Sequence, residues 1–192
     1  EFLTKWGFGP CLADDMGLGK TIQVIAWILF LNEKWKKEKG KGDRGPVLVV
    51  APVSVTTNWV REFRRFAPGL KVKLHQGAQR TLGGMFRREC LDADVVVTGY
   101  SLLVRDFRLL AEVPFAALVL DEAQMVKNPE TRVAKAACAL DVPMKVALTG
   151  TPFENSANDL WSLEEVLNPG LLGERKDFEV SFTRSIREDA RG

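Results

Sequence analysis

Short runs of consecutive apolar residues alternate along this chain with longer stretches whose apolar positions recur every three or four residues. Six runs read as strands: "CLA", "VLVVA", "KVKLH", "DVVVT", "AALVLD" and "KVALT". In "VLVV", "DVVV" and "ALVL" the apolar residues do not alternate with polar ones, so both faces of these strands must be covered, as in the middle of a parallel layer. Helical spacing is predicted over 21–38, 57–67, 81–91, 131–140 and 158–167, with "NPG" at 168–170 as a stop signal. Residues 173–192 read as a further charged amphipathic helix with Phe178, Phe182 and Ile186 on one side. Strands and helices in alternation give an α/β fold: a mostly parallel central sheet with helices on both faces.

Composition narrows the picture. At 192 residues and 46% hydrophobic content the chain fits one domain with one sizeable core. A net charge of +2 argues neither for nor against nucleic acid, since a weak global balance can hide a local basic face. The charged stretch "KWKKEKGKGDRG" at 34–45 reads either as a phosphate-touching loop or as a solvated connection. Cys11, Cys90 and Cys138 form no C-x-x-C pair, which speaks against zinc and against a disulfide framework, and suits buried thiols in a reducing compartment. The lone His75 has no partner at ligand spacing. The apolar run from Val24 to Leu31 is too short to span a bilayer and no leader segment is visible, so a soluble intracellular protein is expected.

Polar residues fall at strand ends: Asp14, Pro52, Thr98, Asp121 and Thr149. Ligands of open α/β sheets bind beyond the carboxyl ends of the strands, so these segments are predicted to converge on one edge. "LADDMGLGKT" is a glycine-rich turn between a strand and a helix. Backbone N–H groups there can cradle a polyphosphate, with Lys20 reaching the phosphates and the Thr21 hydroxyl ligating Mg²⁺. Asp15, Met16, Gly17, Leu18, Gly19, Lys20 and Thr21 are therefore the candidate nucleotide-binding residues. Asp14 stands where the phosphate-loop pattern G-x-x-x-x-G-K has its first glycine, and a chance glycine cap before a helix is the competing account. "LVLDEAQ" places Asp121 and Glu122 at a buried strand end, which a cation must compensate. Magnesium suits Asp121, and Glu122 is the candidate base for the attacking water; an acidic helix cap would explain one of the two carboxylates. In "ALTGTPFENS", Thr149, Gly150 and Thr151 offer small hydroxyls and flexible backbone that can sense a γ-phosphate, or form a plain turn.

Taken in order, "LADDMGLGKT", "LVVAPVSVTTNWVREFRRFAP", "VVVTGYSLL", "LVLDEAQMVKNP" and "LTGTPFENSANDLWSLEEVLNPGLLG" resemble the Swi/Snf-type ATPases of helicase superfamily two, over about residues 8 to 185. The resemblance implies a RecA-like P-loop lobe that binds ATP and Mg²⁺ and grips DNA, as in translocases and chromatin remodellers. The wording "DDMGLGKT" and "LTGTP", in place of the forms usual in RNA helicases, implies duplex DNA. By motif, Lys20, Asp121 and Glu122 are catalytic, Thr21 and Asp121 hold the metal, Thr149, Gly150 and Thr151 couple hydrolysis to movement, and Gln124, where the family usually has His, serves the same coupling by hydrogen-bonding across the lobe interface. Pro52, Ser54, Asn58, Thr98, Tyr100 and Ser101 are implied to contact DNA; hydroxyls and amides can position phosphates without reading bases, and local capping is the alternative for each. Trp59, Phe63 and Phe66 read as the buried face of the following helix.

The resemblance further implies that residues 1–192 form the N-terminal lobe of a longer motor, with 173–192 beginning the connection onward. The adenine-contacting glutamine would precede the first residue, and no Q-x-x-G-R is present. The arginine that reaches the γ-phosphate, worth about 10³–10⁵ in rate in related phosphoryl transfer, is then expected from a second lobe of the same parent chain. Alone, this chain is expected to turn over ATP poorly. A passive nucleotide- or DNA-binding module without turnover is the alternative. No zinc and no membrane partner is expected; the location would be cytoplasm or nucleoid in a prokaryote and the nucleus in a eukaryote.

Overall fold

The computed structural model describes residues 7–15, 17–37, 45–150 and 157–189. The expectations for Met16, Thr151, the side chain of Ile186 and most of the charged loop lie outside the described residues. Six strands form one sheet: β1 (Cys11–Leu12), β2 (Val47–Ala51), β3 (Val72–His75), β4 (Val95–Gly99), β5 (Ala117–Asp121) and β6 (Lys145–Leu148). Their order is β1-β6-β5-β2-β4-β3, and every pairing is parallel. Parallel strands end on the same side, so all six carboxyl ends share one rim.

Each run of consecutive apolar residues feeds both faces, because neighbouring side chains on a strand point opposite ways. Val47, Val49, Val95, Val97, Val119 and Leu148 face α1 (Lys20–Lys37) and α2 (Val53–Phe66), which contribute Val24, Ile25, Ile28, Trp59 and Phe63. Leu48, Val50, Val96, Leu118, Leu120 and Ala147 face the other layer. That layer is α3 (Gly83–Asp92), α4 (Tyr100–Arg105), α5 (Phe107–Ala111), a 3₁₀ turn (Ala123–Val126), α6 (Arg132–Ala139) and α7 (Ala157–Leu167). The final helix, α8, spans Arg175–Asp189.

The predicted elements are present, with three departures. Helix α2 begins at Val53, earlier than the expected 57, because Pro52 opens it at φ −53° and the Thr56 hydroxyl donates back to the Val53 carbonyl at 2.9 Å. The β-branched "VSVTT" otherwise reads as more strand. Helices α4 and α5 and the 3₁₀ turn escaped the sequence reading, being too short to show a helical period. Of the three thiols expected inside, only Cys90 is buried, its pKa pushed up to about 12 by desolvation, while Cys11 is half-buried and Cys138 exposed.

The two-residue strand β1 is held from both sides. Ala147 N–H donates to the Pro10 carbonyl at 3.0 Å and Thr149 N–H to the Leu12 carbonyl at 3.1 Å. Asn168, just past α7, clasps Gly9 by accepting from its N–H at 2.7 Å and donating to its carbonyl at 3.1 Å. The "NPG" stop thus also aims the chain into the glycine-rich turn. No helix among the described residues is long and apolar enough to cross a membrane.

Candidate nucleotide site

The rim brings the predicted segments together. β6 lies between β1 and β5, so the glycine-rich turn after β1, the acid pair at the end of β5 and Thr149 after β6 occupy neighbouring positions. Between Leu12 and Lys20, the turn passes through Gly17 at φ +89° and Gly19 at φ +78°. Residues with a side chain avoid that left-handed region. A Cβ at either glycine would meet no atom within 4 Å, so backbone conformation, not crowding, demands glycine there. Lys20 opens α1 and its ammonium donates to the carbonyls of Asp14, at 2.7 Å, and Asp15, at 2.9 Å. Thr21 follows half-buried in the same first turn, while Leu18 is exposed.

Asp121 is fixed by three donors. Its Oδ2 accepts from the Trp59 indole N–H at 2.7 Å, its Oδ1 from the Glu122 N–H at 3.0 Å, and its carbonyl from the Tyr100 hydroxyl at 2.7 Å. Burial pushes the Asp121 carboxyl above its ordinary pKa; the Trp59 bond opposes this, the Glu122 charge adds to it, and the Lys20 charge pulls it down. Lys20, in the turn after β1, and Asp121, at the end of β5, thus stand on one rim with β6 between their strands. Glu122 adopts φ 53°, ψ 55° and is the one non-glycine residue with positive φ among the described residues. Such a conformation costs on the order of 1–3 kcal/mol and persists where surrounding structure imposes it, commonly at functional sites.

A relay leaves Glu122. Its Oε2 accepts from Gln124 Nε2 at 2.7 Å, and Gln124 Oε1 accepts from the Thr149 hydroxyl at 3.1 Å. The carboxylate can only accept, which sets the amide with nitrogen toward Glu122 and oxygen toward Thr149. Gly150 lies half-buried beside Thr149.

The segments expected on DNA divide in two. Ser54 and Ser101 are exposed and Pro52 and Asn58 half-buried, with Asn58 Oδ1 accepting from Arg61. Thr98 and Tyr100 do not offer their side chains to a surface, and the expectation is corrected for both. Thr98 is 0% exposed because β4 runs on to Gly99 between β2 and β3, and its hydroxyl donates to the His75 carbonyl at 2.9 Å. Tyr100 is 4% exposed and turned inward to Asp121. Trp59 and Phe63 are buried as expected; Phe66 is 38% exposed, with the Arg65 guanidinium 4.8 Å from its ring centroid. The role of Trp59 at Asp121 was missed, although a buried indole N–H needs a partner and is itself a signal.

The residues present fit Mg²⁺ and a polyphosphate. Two acids sit together at a buried strand end, and among the described residues no protein cation forms an ion pair with either. The described residues hold no cluster of three or more metal-ligating side chains, so a metal here needs further ligands from water and phosphate, which is how Mg²⁺ is commonly held.

A parallel sheet carrying a phosphate-loop lysine at one strand end and an acid pair two strands away defines a RecA-like nucleotide-binding lobe. The family model of the SNF2-related domain matches residues 4–192, and the chain belongs to that family of ATPase motors. YwqA of Bacillus subtilis is 44% identical over 98% of this chain, which spans 20% of YwqA. The TATA-binding protein-associated factor MOT1 of Saccharomyces cerevisiae is 37% identical over 96% of this chain and 10% of its own length. The solved Sulfolobus solfataricus SWI2/SNF2 ATPase core in complex with dsDNA superposes with a TM-score of 0.80 at 43% identity, covering 97% of this chain and 37% of that one. The chain therefore spans a fifth or less of the two relatives and about a third of the solved core.

Proposed function

We propose that this chain is the first RecA-like lobe of a DNA-dependent ATPase that moves along duplex DNA, and that it supplies the Mg-ATP half of a site completed by a second lobe. The observation that carries the reading is the relay from Glu122 through Gln124 to Thr149, built beside the Lys20 turn on one rim. It links an acid suited to orient water with the segment that follows β6. A passive binding module has no physical need of two half-buried acids side by side, one of them held at positive φ.

In this reading the N–H groups of the turn and the Lys20 ammonium hold the β- and γ-phosphates, the ammonium leaving the Asp14 and Asp15 carbonyls to do so. Thr21 and Asp121 would hold Mg²⁺, which when bound draws charge from the phosphate oxygens. Glu122 orients the attacking water and accepts its proton. Gln124 fixes the Glu122 carboxylate by donating to it, so a displacement of Thr149 is felt at the base. Ser54, Asn58 and Ser101, with the N-terminus of α2, bear on the DNA backbone. That a homologous core is solved with dsDNA supports the choice of ligand.

ATP turnover by the two-lobed protein, with and without duplex DNA, tests the proposal. DNA should raise the rate and Lys20→Ala should abolish the stimulated rate. A Lys20→Ala protein with intact DNA-stimulated turnover would overturn it.

A further inference from the structure

Two buried aromatic residues meet at Asp121, and each adjoins a surface residue of a different rim segment. Trp59 follows Asn58 on α2, and Tyr100 precedes Ser101 at the start of α4. Trp59 is 1% exposed and Tyr100 4%. Their polar tips are the indole N–H at 2.7 Å from Asp121 Oδ2 and the phenol at 2.7 Å from the Asp121 carbonyl. We propose that Trp59 and Tyr100 are positioning residues that set the Asp121 carboxylate and backbone, so that engagement of the segments 52–58 and 98–101 is transmitted directly to the metal-holding acid. This rests on the functional reading above and names the contacts through which one ligand would act on the site of the other.

The geometry favours this over simple core filling. Packing alone would be served by Phe at 59, which has no N–H to satisfy; the neighbouring aromatic of that face, 5.8 Å away by ring centroids, is Phe63. The indole instead takes one oxygen of the carboxylate and the Glu122 N–H takes the other, which locks the carboxylate plane and leaves about two of its four lone-pair sites for another ligand. Tyr100 fixes the same residue through its backbone. Helices move as rigid bodies, so a shift of about 1 Å at Asn58 reaches Trp59 undiminished and is enough to carry a 2.7 Å bond out of the hydrogen-bonding range. Donors behind a metal ligand typically govern metal affinity or activity by about 10- to 100-fold.

The test uses the two-lobed protein and a fluorescent, non-hydrolysable ATP analogue. Its binding is titrated in EDTA and against rising Mg²⁺, with and without duplex DNA, beside the melting midpoint. Trp59→Phe should raise the Mg²⁺ concentration for half-maximal effect by about 10-fold or more, leave binding in EDTA unchanged, and abolish the DNA-induced tightening of the Mg²⁺ response expected of wild type. Tyr100→Phe, which removes one oxygen and keeps the ring, should shift the Mg²⁺ response the same way by less. It also keeps the proposal testable should Trp59→Phe fold poorly. Variants with the wild-type Mg²⁺ response, or equally weakened in EDTA, would overturn the positioning role and leave the functional reading standing. A wild-type protein whose analogue binding ignores Mg²⁺ would overturn both.

Discussion

Two half-buried acids on this lobe, Asp121 and Asp106, each take a ring N–H but differ in what else neutralises them. Each accepts from the N–H of a buried ring: Asp121 from Trp59 at 2.7 Å, Asp106 from His75 Nε2 at 2.9 Å. Asp106, between α4 and α5, is also gripped in bidentate fashion by Arg80, whose Nε lies at 2.6 Å and Nη2 at 2.9 Å. That guanidinium, helped by the His75 bond, holds the Asp106 carboxyl below its ordinary range despite burial, whereas burial drives Asp121 upward. A carboxylate neutralised within the fold is complete as structure; Asp121, half-buried and with no cation bonded to it among the described residues, would be stabilised by binding one. Asp106 fastens the β3–α3 connection to the helical layer, whereas Asp121 is the acid proposed to take a cation.

The largest effect that tests this contrast is on turnover. Glu122→Gln removes the base and keeps the hydrogen bond to Gln124 available, so DNA-stimulated kcat of the two-lobed protein should fall by about 10²–10⁴, while nucleotide affinity and melting midpoint stay near wild type. Rapid-quench or coupled-assay kinetics beside a binding titration would read both. Asp106→Ala should invert the pattern. The fully buried His75 Nε2 loses its acceptor, at a cost of about 1–3 kcal/mol in denaturant unfolding, with the Mg²⁺ dependence of nucleotide binding unchanged. If Asp106→Ala weakened Mg²⁺-dependent binding as much as a change at Asp121, the distinction between the two acids would fail.

How much of this was legible follows from what is local. "VLVV", "DVVV" and "ALVL" declare central strands because burial on two faces leaves no polar position, and all three are wholly buried apart from Asp94 before β4. The Lys20 turn and the acid pair were legible because "GLGKT" between a strand and a helix and a strand-end "DE" further along the same chain are together far more specific than either alone. Strand order was not, since no local pattern states that β6 inserts between β1 and β5. Thr98 and Tyr100 were misplaced for a related reason: a polar residue at a strand end looks exposed until the flanking strands and α4 are known to cover it. The relay through Gln124 required knowing that Thr149 lies across from it, a contact 25 residues apart in sequence.

The smallest effect concerns the histidine of the Asp106 cluster and has a definite sign. Burial lowers the His75 pKa below the ordinary imidazole value; Asp106 opposes, and the charges of Arg80 and Lys73 add to the lowering. With Nε2–H directed to Asp106, Nδ1 is the bare nitrogen and has no partner among the described residues. Above about pH 6.5 imidazole is neutral in the folded and unfolded states alike, and stability is insensitive to it. As pH falls below that value the unfolded chain takes up a proton that the folded lobe resists, so stability is lost until the lower folded pKa is reached, by at most about 1.4 kcal/mol per unit of depression. Asp106, also depressed, adds a second loss only below the ordinary carboxylate range, while Asp121, being raised, acts in the opposite sense above that range, where the folded lobe takes up its proton before the unfolded chain does. Denaturant midpoints between pH 8 and pH 5 should therefore decline below about pH 6.5 in wild type. In His75→Gln, which keeps an N–H for Asp106 without a titrating ring, they should stay flat over the same interval; a decline that survives this substitution would assign the acid sensitivity to another group.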